Sequence, residues 1–353
     1  MNQNHLDLYT DYLCVTFGKA TATGLAAILD GDVSHDAITR FLSADDYTSR
    51  DLWQQAKPLV RQIEADNGVL IIDDTVEAKP YMEENDLIAW HFDHTQGHAV
   101  KGINLLNAVY HAQGVSLPVA FELIRKDVRY CDLETRVEKR ESFQTKNELM
   151  RSMLRVCVQN QLKFQWVLYD SWFSSCENMV YIKLDLQKDF IGALKSNRLV
   201  ALNETDRKEH RYTRVDQIAW SEQTAITGWL KGVNFPVRLA RQVFKNKDGS
   251  TGTLYLVCSQ LDASWDIITT TYQKRWQVEV FHKSLKSNAA FANSPAHRAR
   301  TQANHLFSSI VAVLKLEALK IKHKLNHFAL RAKLYIKATR TAFEELQAIK
   351  ASA

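Results

Sequence analysis

Two aspartates in this chain each follow directly on a short apolar run. Asp73 comes after Val-Leu-Ile-Ile at residues 69–72, and Asp170 comes after residues 164–169. Such runs predict buried strands, and a single aspartate behind one is usually a turn residue or a helix cap. Two of them in one alternating strand and helix pattern favour another interpretation, because carboxylates at strand ends can converge on a divalent cation. Asp73 and Asp170 are therefore candidate metal ligands.

A third carboxylate lies in a helical segment with three companions of distinctive type. At about 100° per residue, one continuous helix puts four residues within an arc of about 60°: Tyr272, Arg275, Glu279 and Lys286. If this face were simply exposed to solvent, an ion pair between Arg275 and Glu279 would explain two of the four residues. It would not explain why Tyr272 and Lys286 share the face. An acid among two cations and a phenol suits phosphoryl transfer, because that reaction needs both metal binding and a grip on phosphate oxygens. The pattern predicts that Glu279 completes the metal site.

The spacing of this segment resembles a known signature. Tyr, two residues, Arg, three residues, Glu, six residues and Lys is the YREK signature of DDE transposases of the insertion-sequence-four superfamily, and this chain matches every interval. Residues 73–75, Asp-Asp-Thr, resemble the family's first block, and Asp170 resembles its second. The likeness covers residues 68–286, although many members have Arg-Gly after the second Asp, where this chain has Ser-Trp-Phe at residues 171–173.

The resemblance implies a catalytic core with an RNase H-like fold and a set of metal ligands. Asp73, Asp170 and Glu279 would bind Mg²⁺, as two ions, with Mn²⁺ able to substitute. Asp74 stays open as the rival of Asp73, because the first block carries two adjacent aspartates. The implied reaction is cleavage at transposon ends, followed by attack of the new 3′ hydroxyl on other phosphodiester bonds.

The same resemblance implies contacts to double-stranded DNA, both at terminal inverted repeats and at the target. The residues expected to touch phosphates are Tyr272, Arg275, Lys283 and Lys286. Trp220 and Trp229 are candidates to stack on a flipped base, although tryptophans in a β-rich region are usually core. Arg40 is expected to face DNA if two N-terminal helices form a helix-turn-helix, and plain scaffold helices are the alternative. Two active sites acting on two transposon ends imply a dimer in the DNA complex.

The elements that must position these residues alternate in type along the chain. Strands are predicted at residues 69–72, 101–111, 115–124, 164–169 and 189–194, and helices within 6–65, at 143–159 and at 175–186. This order predicts an α/β fold, with a mixed five-stranded sheet and flanking helices. Five regions follow: a helical N-terminal DNA-binding domain (1–66), the first part of the core (67–196), a β-rich insertion (197–264), the Glu279 helix of the core (265–300) and a basic helical C-terminal region (301–353).

Positive charge is concentrated at the C-terminal end. Residues 267–353 carry 15 Lys and Arg against 4 Asp and Glu, whereas the whole chain has a net charge of only +5. The excess predicts a polyanionic partner, with a solvated basic face as the alternative.

Other features narrow the class of protein. The five cysteines are scattered, and His91, His94 and His98 have no cysteine partner, so a zinc site is disfavoured. No signal segment and no run of about 18 apolar residues occurs, which predicts a protein of the bacterial cytoplasm, associated with the nucleoid.

Two other functions stay open. A nuclease of the same fold would hydrolyse DNA without joining strands. A non-catalytic DNA-binding regulator is disfavoured, because a cluster of unpaired carboxylates is costly to hold.

Overall fold

A computed structural model describes residues 2–93, 97–246 and 248–352 of the chain. Within these ranges the helices flank one large mixed sheet, which confirms the predicted α/β class. No helix in the described ranges combines the length and the apolar character needed to cross a membrane.

Helices precede the first strand, as the pattern of residues 6–65 predicts. They are α1 (Gln3–Val15), α2 (Ala22–Ile28), α3 (His35–Ala44) and α4 (Ser49–Ile63). The side chain of Ser34 accepts a hydrogen bond from the backbone N of Ala37 at 3.2 Å, so it caps α3. The helix α4 packs on the sheet, so these helices belong to the scaffold of the core.

The elements of the catalytic region come next along the chain. They are β1 (Val69–Ala78), β2 (Ala89–Asp93), β3 (His98–Ala112), β4 (Val115–Leu123), β5 (Val128–Cys131), β6 (Glu138–Glu141), α5 (Lys146–Gln159), β7 (Trp166–Tyr169), α6 (Cys176–Val180) and β8 (Asp189–Leu194). A π-helical turn, Tyr181–Asp185, continues α6. Five of the strands lie side by side in the order β4, β3, β1, β7, β8. β3 is antiparallel to both of its neighbours, β4 and β1, and β7 and β8 run parallel to β1.

The first strand is longer than its apolar run. The sequence predicts a strand over residues 69–72, but β1 continues through Asp73 and Asp74 to Ala78. The reason is its partner, because β3 is 15 residues long and pairs with β1 as far as Gly102 opposite Ala78. Backbone pairing therefore extends the strand past the point where side-chain burial ends.

The β-rich insertion joins the same sheet. Its elements are β9 (Leu199–Ala201), α7 (Glu204–Lys208), β10 (Thr213–Arg214), β11 (Ala225–Leu230), β12 (Val237–Lys245) and β13 (Thr251–Cys258). β13 pairs with β8, and within the described residues the sheet then has eleven strands. Between residues 212 and 220 the insertion has only β10 and a 3-10 turn. Lys247, between β12 and β13, lies outside the described residues.

Helices close the chain. They are α8 (Trp265–Gln273), α9 (Trp276–Asn288), α10 (Ala299–His323) and α11 (His327–Ser352). The prediction of one continuous helix through residues 272–286 is wrong, because Lys274 and Arg275 form a turn between α8 and α9. The backbone N of Arg275 bonds to the carbonyl of Tyr272 at 2.9 Å, a closure one residue tighter than in an α-helix. α10 is the central helix of this part, buried against α1, α3, α4 and β4.

Candidate active site

The register between two parallel strands brings Asp73 and Asp170 together. β1 and β7 pair with Ile72 opposite Tyr169, so the two aspartates are the next residues on neighbouring strands. Side chains at equivalent positions of paired strands point to the same face of a sheet. The helix α9 packs against β1 and contributes Glu279 to the same cleft. The three predicted carboxylates therefore line one site.

Asp170 also organises the turn that follows it. Its Oδ1 accepts hydrogen bonds from the backbone N of Trp172 at 2.9 Å and of Phe173 at 3.4 Å. These bonds form an Asx-type turn directly after the end of β7. The turn thus fixes the orientation of the carboxylate.

Arg275 lies between two of the carboxylates. Its Nη1 donates to Asp73 Oδ2 at 3.0 Å and is 3.6 Å from Glu279 Oε1. The Arg275 side chain is only 17% exposed. In this arrangement the guanidinium neutralises the carboxylates, and the turn between α8 and α9 is what points it at them.

The surroundings of Asp73 strongly shift the pKa of its carboxyl. Burial raises the pKa of its carboxyl to about 7, against the lowering effect of the Arg275 guanidinium. The neighbouring carboxyls of Asp170, Glu279 and Asp74 raise this pKa as well. A buried acid among like charges is typical of functional sites, where charge is held ready for a ligand.

Asp74 has partners of its own. Its Oδ2 accepts hydrogen bonds from Lys146 Nζ at 2.7 Å and from Asn104 Nδ2 at 2.8 Å. Lys146 is the first residue of α5, so this ion pair connects β1 to a flanking helix. The two adjacent aspartates therefore differ, since Asp74 is paired with a lysine and Asp73 shares its arginine with Glu279.

Tyr272 is placed differently from the phosphate contact that the signature implies. Its side chain is buried, and its hydroxyl donates to the carbonyl of Tyr169 at 3.3 Å. That carbonyl belongs to the last residue of β7, directly before Asp170. The hydroxyl thus ties the end of α8 to the end of the strand that carries Asp170.

The two lysines of α9 are exposed at the cleft. Lys286 Nζ donates to the carbonyl of Val76 at 3.1 Å, and Lys283 Nζ lies 5.2 Å from the centre of the Phe328 ring. Both line the cleft. Below them His282 is buried, and Asn107 Nδ2 donates to its Nε2 at 3.0 Å. This buried pair joins α9 to β3 under the site.

The cleft has a volume of about 1460 Å³, including its opening to solvent. Its described lining holds three cations, Arg275, Lys283 and Lys286, and six carboxyls: Asp73, Asp74, Glu77, Asp93, Asp170 and Glu279. The carboxyls outnumber the cations, so the lining is acidic overall. A phosphodiester would be repelled from such a surface unless a bound cation offset the charge.

The donor set fits a hard divalent cation. Within residues 2–93, 97–246 and 248–352, no three His, Cys, Asp or Glu side chains are grouped closely enough to form a ready-made metal cage. Mg²⁺ does not require one, because it usually takes one or two carboxylates and completes its shell with water and phosphate oxygens. The all-oxygen set and the raised pKa of Asp73 agree with such an ion. Of the histidine group that could have held zinc, His94 lies outside the described residues.

Three other predicted residues do not line the cleft. Arg40 is exposed on α3, where its Nε donates to the carbonyl of Asp36 at 3.4 Å. Trp220 Nε1 donates to the carbonyl of Val215 at 2.9 Å, and the Trp220 ring packs on Tyr255. Trp229 is half-buried in β11. DNA contacts by these residues therefore stay predictions without support from the geometry of the cleft.

Sequence analysis missed two residues at the site. Lys146, the partner of Asp74, was assigned no role, and Trp172 was noted only as a departure from the family pattern. Trp172 lines the cleft beside Asp170 with 44% of its surface exposed. An aromatic residue two positions after a candidate catalytic aspartate was the available signal.

Comparison with known proteins finds one matching family. Residues 2–218 match the model of the family described as DDE superfamily endonuclease. The matched range covers more than half of the chain and contains Asp73 and Asp170, whereas Glu279 lies beyond it. No curated protein matches.

Among solved structures, seven chains match. One belongs to a structure described as the Drosophila P element transposase strand transfer complex, with 14% sequence identity and a TM-score of 0.27. The match covers 52% of this chain and 36% of that chain, so it spans about a third of the length of the structural relative.

Proposed function

The chain belongs to the DDE superfamily endonucleases, and from this we propose that it is a DNA transposase of the DDE type with an RNase H-like catalytic core. The strand order β4, β3, β1, β7, β8, with its antiparallel half and its parallel half, supports that core. The YREK spacing supports the insertion-sequence-four superfamily.

One observation carries the proposal. Asp73 and Asp170 follow the paired residues Ile72 and Tyr169, and Glu279 reaches the same acidic cleft from α9. Three elements far apart in sequence thus converge on one set of carboxylates. Arg275 supplies one positive charge to this set, so the three carboxylates keep an excess of negative charge that a scaffold does not need.

In the proposed reaction, Asp73, Asp170 and Glu279 hold Mg²⁺, with Mn²⁺ as a substitute. Bound at these carboxylates, two such ions would supply activation of the attacking oxygen and stabilisation of the leaving oxygen in an in-line displacement. Asp73 is assigned rather than Asp74, because Asp74 is engaged by Lys146 and Asn104.

The cations of the cleft have separate tasks in this proposal. Arg275 holds Asp73 and Glu279 in place, and the remaining N–H donors of its guanidinium would contact a phosphate oxygen of the DNA. Lys283 and Lys286 are exposed along α9 and contact the DNA backbone on either side of the reacting bond. Tyr272 acts as a positioning residue through Tyr169.

The proposed substrates are double-stranded transposon ends and target DNA. Two ends must be processed together, so the active form is a dimer on DNA. The alternative is a nuclease that only hydrolyses, which would use the same cleft and the same carboxylates.

Product analysis tests the proposal. The purified protein is incubated with Mg²⁺ and labelled DNA that carries the ends flanking its own gene, beside Glu279→Gln. Cleaved and joined products that both disappear in Glu279→Gln are expected. Cleavage without joined products would favour the nuclease, and DNA binding with no cleavage would contradict both functions.

A further inference from the structure

The helix α9 is tied to the strands β1 and β3 by hydrogen bonds along its length. At its start the Arg275 guanidinium donates to Asp73, and near its end Lys286 donates to the carbonyl of Val76. Between them, His282 makes a buried contact to β3. In the proposed function both outer contacts involve groups that also serve the cation or the DNA. The buried contact is made by residues with no such task.

The partner of His282 is Asn107, which occupies the position on β3 directly opposite Asp73. Directly opposite residues of paired strands share one face of the sheet, so Asn107 lies beneath the same cleft. Asn107 is fully buried, and its Nδ2 donates to His282 Nε2 at 3.0 Å. His282 is 6% exposed and lies one turn after Glu279 on α9. The pair therefore connects the strand beside Asp73 to the helical turn that carries Glu279.

The direction of this hydrogen bond follows from its surroundings. The Nδ2 of Asn107 also donates to the carbonyl of Leu105 at 3.4 Å, where the oxygen of the amide would be repelled. The NH₂ group therefore faces His282, so Nε2 accepts and the ring carries its proton on Nδ1. Burial lowers the pKa of His282 to about 3, which keeps the ring neutral and Nε2 an acceptor.

The position of the Glu279 carboxylate depends on where α9 lies. Arg275 Nη1 approaches Glu279 Oε1 only to 3.6 Å, longer than a hydrogen bond, so its attraction sets no exact position. The Glu279 side chain is 41% exposed. Its distance from Asp73 is therefore determined mainly by the placement of its helix over the sheet.

We infer that His282 is a positioning residue, which acts with Asn107 to hold α9 at the distance from β1 at which Glu279 and Asp73 bind one cation site. His282 is not a ligand in this inference, because its acceptor nitrogen is occupied by Asn107. The inference rests on the proposed function, to which the cation belongs.

Two substitutions at one position test the inference, with Mn²⁺ binding to the full chain followed by electron paramagnetic resonance. Glutamine carries its side-chain oxygen as many bonds from Cα as His282 carries Nε2. His282→Gln can thus still accept from Asn107 and should bind Mn²⁺ as the wild type does. In His282→Asn the side chain is one bond shorter and cannot reach Asn107. Its Mn²⁺ binding should weaken by about tenfold or more, the range for residues that orient metal ligands.

Two further variants complete the design. The double variant Asn107→Leu with His282→Leu leaves no buried partner unpaired, so it tests the pair even if His282→Asn does not fold. It should also bind Mn²⁺ about tenfold more weakly or worse, because apolar contact has no defined direction. His305→Gln changes another buried histidine, which does not line the cleft, and should keep the wild-type Mn²⁺ affinity.

The outcomes separate the inference from the proposed function. Wild-type Mn²⁺ affinity in folded His282→Asn and in the double variant would overturn the positioning role, as would an equal loss in His282→Gln and His282→Asn. If Glu279→Gln, measured beside them, binds weakly while His282→Asn binds normally, the inference alone fails. Equal binding by the wild type and Glu279→Gln would overturn the proposed function, and the inference with it.

Discussion

Asp73 and Asp74 are neighbours in sequence with opposite electrostatic situations. The surroundings of Asp73 raise its pKa to about 7, chiefly through burial, whereas Asp74 is matched by Lys146 at 2.7 Å. A carboxyl whose folded pKa lies above its unfolded value loses stability as pH rises between the two pKa values, and the loss is complete above the folded pKa. At neutral pH and above, Asp73 therefore reduces stability, a cost that the proposed metal binding would offset.

Asp73→Asn should separate stability from activity. Because the substitution removes an unfavourable buried charge, it is expected to raise the thermal unfolding midpoint at pH 8 in EDTA by about 2 °C or more. Cleavage with Mg²⁺ should fall at least about 100-fold, the order seen on loss of one charge-stabilising group. Calorimetry and a cleavage assay on the same preparation check both effects. A less stable but active Asp73→Asn would contradict the assignment.

Asp74→Asn should lower stability and leave cleavage largely unchanged, the reverse of Asp73→Asn. It leaves Lys146 without its carboxylate, so the free energy of unfolding should fall by about 1–3 kcal/mol. Cleavage should stay within about tenfold of the wild type at a temperature where the variant is folded, because this carboxylate is not assigned to the metal. Chemical denaturation measures the first effect. Loss of cleavage in a fully folded Asp74→Asn would make Asp74 the ligand.

Lys286→Ala tests the DNA face of α9. Each phosphate contact contributes about 0.9 to the slope of log affinity against log salt on duplex DNA, so this slope should become shallower by about that amount. Binding titrations at several salt concentrations provide the measurement. An unchanged slope would remove Lys286 from the DNA contact surface.

At the scale of elements, the junction between α8 and α9 sets the geometry of the site. Tyr272 ends α8 with its hydroxyl on the carbonyl of Tyr169, and Arg275, three residues later, points at Asp73. The Tyr and Arg of the YREK pattern therefore act on opposite sides of one turn, the first on the strand β7 and the second on the carboxylates.

Tyr272→Phe distinguishes this positioning role from a phosphate contact. Loss of one hydrogen bond to a buried carbonyl should lower the free energy of unfolding by about 0.5–1.5 kcal/mol. The salt dependence of DNA binding should stay as in the wild type, since the hydroxyl is buried. A shallower salt slope with unchanged stability would show instead that the hydroxyl touches phosphate.

The sequence predicts the central elements well and their continuations poorly. The apolar runs before Asp73 and Asp170 predict buried strands, because two-sided burial leaves a strong signal. The extension of β1 to Ala78 depends on pairing with β3, and the turn at Lys274 and Arg275 depends on contacts with strands far away in sequence. Such long-range causes leave no local periodicity. The same holds for the pairing of β13 with β8, which turns an expected separate insertion into part of the main sheet.

The residues of the site were likewise predictable from the sequence only in part. Residue types and spacing were enough to select Asp73, Asp170 and Glu279, which the structure brings to one cleft. The position of Trp172 at the cleft was not predictable, because it follows from the turn after β7 and not from a sequence pattern.

At the scale of the molecule, the two ends of the chain are packed together. α10 packs against α1, and both ring nitrogens of His305 on α10 have hydrogen-bond partners. The hydroxyl of Tyr9 on α1 lies 2.9 Å from His305 Nδ1, and the carbonyl of Ala290 lies 3.0 Å from His305 Nε2. A neutral imidazole satisfies this geometry, with Nε2 donating to the carbonyl and Nδ1 accepting from the Tyr9 hydroxyl. Burial lowers the pKa of His305 to about 4.

His305 should make the stability of the folded protein sensitive to acid. Between about pH 6.5 and pH 4 the unfolded chain binds a proton at His305 that the folded chain does not, so stability is lost as pH falls, by at most about 3 kcal/mol. His305→Gln should be less stable at pH 8 but lose less stability on acidification. Denaturation at a series of pH values tests this, with the exposed His210→Gln as control. If the free energy of unfolding changed with pH in the same way in the wild type and in His305→Gln, His305 would not be the source of the acid sensitivity.

We propose that Asp73, Asp170 and Glu279 together bind a divalent cation. Electron paramagnetic resonance of free Mn²⁺ measures that binding directly in the wild type, in Asp73→Asn, Asp170→Asn and Glu279→Gln, and in Asp74→Asn as the matched control. We predict that the wild type and Asp74→Asn bind Mn²⁺ equally, and that each of the other three variants binds at least about tenfold more weakly, a difference of about 1.4 kcal/mol. Equal Mn²⁺ binding by all five proteins would contradict the assignment of Asp73, Asp170 and Glu279 as the cation ligands.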